Sequence, residues 1–397
     1  MGKFDLNKIQ NLIKKSGLDA WLLFDFRGSN TLSHDVLDIP KNAHLTRRFY
    51  YFIPAEGQPV KIVNAIERHT LKHLPGIEKP YSSRQILDGY LRETLAGVKK
   101  VAMEYSPMNA IPYLSRVDAG TIEYLKSFGL EIVPSGDLIT MFNAVWTNEQ
   151  YTQNVPVAAA LVEIVKSAFA FIKENLSSGK KITEYDAQQF IMGEFAKRGY
   201  FTDSPPIVGV NGNAANPHYS PDSETHAEIK MGDFILIDLW AKPDDDAAVW
   251  SDITWTGYAG KEAPRKMTEV FNIVRDARDA ALSLVKERFE KGLPVKGFEV
   301  DDASRNVIVK AGYGDYFIHR TGHSITTDLH GSGPHMDNFE THDERTILPS
   351  TSFSIEPGIY LPGEFGVRNE IDVYVHPDGR VEQTGGEKQN ELILLFA

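Results

Sequence analysis

Cysteine is absent from the 397-residue chain. That absence removes disulfide frameworks, thiolate zinc sites, iron–sulfur clusters and cysteine nucleophiles together. Positive charge is scarce: 42 lysines and arginines stand against 54 aspartates and glutamates, a net charge of −12. Wrapping a phosphate backbone needs a basic face, so nucleic acid is not an expected partner. Long uncharged apolar runs are missing as well. The longest stretch free of Asp, Glu, Lys and Arg, Ser204–Pro221, carries four prolines, two glycines and three asparagines. It reads as a loop, and no membrane partner is expected. The start, MGKFDLNKIQ, is charged and amphipathic with no apolar leader core, so cytoplasmic residence is the expectation.

What is present is an ordinary globular composition, 42% hydrophobic and 24% charged, unlike that of a disordered chain. The length exceeds what one core usually organises, so two domains are expected. For chemistry there remain 12 histidines and 54 carboxylates, all of them possible metal ligands.

The first 150 residues alternate helical and strand patterns. Leu6, Ile9, Leu12 and Ile13 mark an amphipathic helix that closes near Gly17, and the apolar run 20–24 follows. Strands are expected at 50–53, 60–63, 101–103 and 131–134, with helices at 86–95 and 119–128. Such alternation gives an α/β domain. A long helix is expected from the region of Thr147–Val155, entered through Pro156, to about Leu176, and Thr183 caps another over 184–198. Beyond residue 230 strands dominate, interrupted by helices from about Pro264 to Gly292 and over roughly 300–311. The expected organisation is an α/β domain over 1–152 and a larger α+β domain over 153–397.

Acids stand inside the apolar strands of the second half. Phe234–Trp240 is a strongly apolar strand containing Asp238, and a buried unpaired carboxylate must be compensated. The chain returns through 249–256 with Asp252. Paired as a hairpin, the two strands put Asp238 and Asp252 on one face; otherwise Asp252 caps a turn and Asp238 accepts backbone hydrogen bonds. His319 and His323 lie in HRTGHSI, with His330 seven residues on. Arg320 and Gly322 within that motif speak against a helical zinc site. Glu356 precedes a Pro-Gly turn in SIEPGIY, and Arg368, Glu370 and Asp372 fall on one face of a strand in GVRNEIDV. Two aspartates, one histidine and two glutamates suit Mn, Co, Zn or Fe and not a soft metal.

The ordered set Asp238, Asp252, His323, Glu356 and Glu370, inside SDITWTG, HRTGHSI, SIEPGIY and GVRNEI, resembles the dinuclear site of the pita-bread metallopeptidases. That group holds the Xaa-Pro aminopeptidases, prolidases and methionine aminopeptidases. The resemblance covers most of 204–375, and the preceding segment is similar to the creatinase-type N-terminal domain. It implies an α+β pita-bread catalytic domain behind a creatinase-like α/β domain. It also implies two divalent metal ions, manganese first, held by those five residues. His218, in the loop 211–219, and His330 match the family's two histidines that are not ligands. Glu356 then serves as general base, His330 and His218 stabilise the oxyanion, and Arg368 holds Glu370 or Asp372 from behind the ligands. The implied activity is cleavage of the Xaa-Pro bond at the N-terminus of a proline-containing peptide, and relatives are commonly homodimers. The alternatives are an Xaa-Pro dipeptidase, or a lyase or non-peptidase hydrolase on the same fold.

The sequence departs from the family pattern in three places. Trp240 stands where a glycine is usual, and the two aspartates lie 252 − 238 = 14 residues apart, which lengthens the intervening turn. The stretch after His330, Gly331-Ser332-Gly333-Pro334-His335, has no arginine to clamp a dipeptide carboxylate, although His335 could substitute in part. That absence favours aminopeptidase over dipeptidase.

Overall fold

The computed structural model describes residues 4–40 and 42–397; the first three residues of the MGKFDLNKIQ start lie outside the described residues. The chain divides into two compact units, Met1–Asn143 and Ala144–Ala397. The division expected at 152/153 falls inside a helix whose cap, Thr147, already belongs to the second unit.

The first unit alternates as its sequence predicts. Its elements begin with α1 (Leu6–Lys15), β1 (Ala20–Asp25), α2 (Thr31–Val36), β2 (Phe49–Pro54), β3 (Val60–Asn64) and β4 (Ile77–Tyr81). Then follow α3 (Arg84–Thr94), β5 (Lys100–Met103), α4 (Ala119–Lys126), β6 (Glu131–Pro134) and α5 (Gly136–Ile139). The six strands form one mixed sheet in the order β4-β3-β2-β1-β5-β6. Side-chain alternation along β1 feeds two cores: Trp21 and Leu23 join Ile9 and Ile13 of α1, while Leu22 and Phe24 join Leu87 and Leu91 of α3.

The second unit opens with α6 (Asn148–Ser177) and α7 (Glu184–Arg198), then β7 (Tyr200–Phe201), β8 (Ile207–Val210), β9 (Phe234–Pro243) and β10 (Ser251–Tyr258). Helices α8 (Arg265–Glu290) and α9 (Gly297–Lys310) follow. Seven short strands complete it: β11 (Ser324–Ile325), β12 (Ser352–Ile355), β13 (Gly358–Leu361), β14 (Phe365–Arg368), β15 (Ile371–Val375), β16 (Val381–Gln383) and β17 (Ile393–Leu394). One sheet runs β17-β10-β9-β7 with β8 also on β9, a second runs β11-β12-β15-β16, and β13 and β14 form a separate hairpin.

Helix α6 starts within the expected 147–155 region but not through Pro156, and α9 starts earlier than expected. Thr147 and Gln150 form a reciprocal capping box, so α6 begins at Asn148 and runs through Pro156 instead of starting there. The carboxylate of Glu299 accepts the Lys296 N–H at 2.9 Å, which starts α9 at Gly297, three residues early. Helix α6 is also long and apolar enough, by length and composition, to cross a membrane. Charge at Glu163 and Lys166 hides this from a search for uncharged runs. Its apolar face is buried here: Leu161, Val165, Ala168 and Phe169 pack with Ile235, Ile237 and Trp255 of β9 and β10.

Candidate metal centre

The β9–β10 hairpin supplies two acids. Asp238 lies opposite Thr254, and Asp252 lies opposite Trp240. With side chains alternating along each strand, these four residues share one face, and the aspartates sit on its diagonal. Both are buried. His323 is fixed just before β11: its N–H is accepted by Ser354 Oγ at 3.0 Å, and its carbonyl accepts the Ser354 N–H at 2.8 Å. Glu356 leaves the end of β12. Glu370 occupies the break between β14 and β15, where its backbone N–H reaches the Thr254 carbonyl at 3.1 Å. That break is held from α8, whose buried Arg278 donates to Asn369 Oδ1 at 2.5 Å and to the Gln389 carbonyl at 2.6 Å.

Five side chains from four places in the chain therefore converge. One ligand-capable atom each from Asp252, His323 and Glu370 lies within 4.8 Å of the others. His323 Nε2 is 3.4 Å from Glu356 Oε1 and 3.7 Å from Asp252 Oδ2. Asp238 joins through Arg368, which donates to its Oδ2 and to Thr254 Oγ1 at 2.9 Å, while Thr254 Oγ1 donates to Glu370 Oε2 at 2.7 Å.

The electrostatics of this cluster call for cations. Burial, then Glu370 and the other neighbouring acids, push Asp252 well above the usual carboxylate range; burial, then Glu356 and Asp238, do the same to Glu370. Burial also raises Asp238, against the pull of Arg368. Burial, followed by the charge of any proton on His330, drives His323 down to about 3, so its imidazole is neutral. Its Nδ1 faces the Ser324 carbonyl at 3.3 Å; donation there assigns the free lone pair to Nε2, which points at two carboxylates. Asp238 Oδ1, Asp252 Oδ1 and Glu370 Oε1 are buried with no hydrogen-bond donor. Such orphaned acceptors are costly. Four carboxylates against the single guanidinium of Arg368, all oxygen donors plus one imidazole, fit two divalent ions.

The two remaining histidines lie nearby. The His330 ring stands edge-on to His323, centroids 4.4 Å apart. His330 is exposed at the surface, yet the protein packed around its ring first, then Arg320 and His218, lower it to about 4, which places His218 within electrostatic reach. His218 is exposed, on a loop that Glu184 pins. The buried Glu184 carboxylate accepts the N–H groups of Val210 and Ala227, the Asn213 amide and the Tyr219 hydroxyl, at 2.5–3.1 Å. Sequence reasoning saw only a helix start at Glu184; an acid at the first helical position has that bland reading.

Two expectations are refined. Of the two acids expected for Arg368, the structure pairs it with Glu370, at 4.0 Å and through Thr254, and not with Asp372; its shortest ion pair is with Asp238, which was not expected. The strand breaks at Asn369, so Arg368 and Asp372 belong to different sheets, and Asp372 Oδ2 accepts the Asp252 N–H at 2.7 Å. His335 cannot clamp a substrate carboxylate, because it is 3% exposed and its Nδ1 accepts the Ser324 N–H at 3.2 Å. Sequence reading also missed the chain behind Arg368. Its Nη1 donates to the Tyr360 hydroxyl at 3.3 Å, and that hydroxyl meets His319 Nε2 at 2.8 Å.

The chain is similar to known proteins in sequence and in fold. The sequence pattern of metallopeptidase family M24 matches residues 157–377. An Xaa-Pro dipeptidase of Lactobacillus helveticus is 35% identical over 187 residues, 47% of this chain and 46% of that protein; the match spans about half the relative's length. The prolidase structure from Thermococcus sibiricus aligns with a TM-score of 0.59 at 25% identity, over 98% of each chain. The X-prolyl aminopeptidase of Caenorhabditis elegans, described as cytosolic with a di-nuclear active site, aligns at 0.61 and 18% identity, over 95% of this chain and 61% of that one. The pita-bread architecture behind an α/β unit is the fold these structures share with this chain. With the family pattern running over more than half of its length, the chain belongs to metallopeptidase family M24.

Proposed function

We propose that this protein hydrolyses the peptide bond between a free N-terminal residue and proline, as an Xaa-Pro aminopeptidase working as a homodimer. Asp238, Asp252, His323, Glu356 and Glu370 hold two divalent ions, manganese first. The chemistry supplied by such a pair is a water of lowered pKa and a polarised scissile carbonyl. Glu356 moves the proton. Its side chain is 16% exposed and hydrogen-bonded by Ser354 Oγ at 3.1 Å, so among the four carboxylates it has the easiest exchange with substrate. His330, with His218 beside it, donates to the oxygen that gains charge. Arg368 orients Asp238 and, through Thr254, Glu370. The observation that carries the reading is a cluster of buried carboxylates, three of them with an oxygen that has no hydrogen-bond donor, gathered around the neutral imidazole of His323.

Aminopeptidase is preferred to dipeptidase because no arginine stands in the stretch 331–335 directly after His330 and His335 is buried. The dipeptidase reading is favoured by the Lactobacillus helveticus relative. Assays on Ala-Pro, Ala-Pro-Ala and Ala-Ala-Ala with manganese separate the two. Cleavage of Ala-Pro-Ala alone is expected; cleavage of Ala-Pro with Ala-Pro-Ala untouched makes the protein a dipeptidase, and equal cleavage of Ala-Ala-Ala removes the proline requirement.

A further inference from the structure

We propose that Trp240 is a specificity-determining residue: its indole forms an apolar wall for the side chain of the residue before the scissile bond. The inference rests on the peptidase reading above and says which first residues that site prefers. Trp240 and Asp252 are direct cross-strand partners, and Asp238 and Trp240 are two apart on β9. Thr254, Asp238, Asp252 and Trp240 therefore make a four-cornered platform. Three corners are polar: Thr254 and Asp238 are bonded to Glu370 and Arg368, and Asp252 faces His323 at 3.7 Å. The fourth is a large flat ring where the family pattern has glycine.

The ring is fixed and partly open. Between β8, which pairs with β9 at Asp238, and β7, which pairs with it at Lys242, the neighbouring strand is interrupted by the loop 202–206. The indole is tied to that loop, its Nε1–H donating to Asp203 Oδ1 at 2.8 Å. It also packs on an apolar cluster that includes Val249, Trp250 and Ile325. Trp240 nevertheless stays partly exposed, unlike its neighbours Asp238 and Asp252. A preordered aromatic surface adjoining catalytic carboxylates costs little entropy to bind against. The carbonyl under attack belongs to the first residue, so that residue's side chain hangs one carbon from the reacting centre, beside the ring.

Steady-state kinetics on Leu-Pro-Ala and Gly-Pro-Ala, or Leu-Pro and Gly-Pro if the dipeptide is the substrate, tests this. Losing the apolar contact in Trp240→Ala is expected to lower kcat/KM for the leucine substrate roughly tenfold and to leave the glycine substrate nearly unchanged. Trp240→Phe is expected to keep most of the preference. Asp203→Ala, which frees the indole, is expected to lose part of it. Reduced-amide analogues of Leu-Pro and Gly-Pro, bound by calorimetry, should show the same ratio without turnover, in variants whose metal content matches wild type. An unchanged leucine-to-glycine ratio in Trp240→Ala, or a gain for leucine showing the ring to be a barrier, overturns the inference and leaves the peptidase reading standing. A wild type that neither cleaves an Xaa-Pro bond nor binds the analogues overturns both.

Discussion

Replacing Glu370 by Gln is expected to lower bound metal from two ions per chain to one or fewer, and kcat/KM on the order of a thousandfold. The amide keeps the shape of the side chain and can still accept the Thr254 hydroxyl at its Oε position, so the fold survives. What goes is the negative charge facing Asp252 and His323 within 4.8 Å. Metal-assisted hydrolysis draws several kcal/mol from cation placement, which sets the scale of the rate loss. Elemental analysis and kinetics on one preparation check both parts. A variant that is fully loaded and active contradicts the assignment of Glu370.

Arg368→Met should cost the metal-free protein about 3–5 kcal/mol of stability, the range for removing one partner of a buried ion pair. Arg368 is 4% exposed and is bonded to Asp238, Thr254 and Tyr360. Without it Asp238 remains buried with both oxygens unsatisfied, since Oδ1 already lacks a donor. In the metal-loaded protein the loss should be smaller, because cations then take over part of the compensation. Arg368→Lys should recover charge but not the three-way bonding of the planar fork. Urea unfolding of wild type and variants, with and without manganese, measures the difference. Equal midpoints for wild type and Arg368→Met without metal would show that the pair holds nothing together.

The two arginine contacts illustrate what sequence reading can and cannot reach. Local rules worked where the cause is local. Period-two alternation in a hairpin put Asp238 and Asp252 on one face, and Thr183 capped α7 as expected, with Asp186 completing the box. They failed where the cause lies far along the chain. The partner of Arg368 is 130 residues away on β9, and the break at Asn369 that separates Arg368 from Asp372 is bonded to Arg278 on α8, 91 residues away. The one local sign of it is Asn369 itself, a polar residue on the otherwise apolar face of Val367, Ile371 and Val373, which also suits a half-exposed strand. Pro156 misled for a related reason, since the cap at Thr147 and burial on β9 and β10 override a residue that usually marks a helix start. Register was the other illegible quantity. A long 241–248 turn does not say whether the two aspartates meet directly or on a diagonal; the ladder puts Trp240 opposite Asp252.

The account depends on a pair of divalent cations in the pocket of carboxylates, and the most direct measurement is their stoichiometry. Protein stripped with chelator, reloaded with manganese and freed of excess should retain two ions per chain by elemental analysis, with a higher thermal midpoint than the stripped form. Retention of none or one, with the midpoint unmoved, would contradict it.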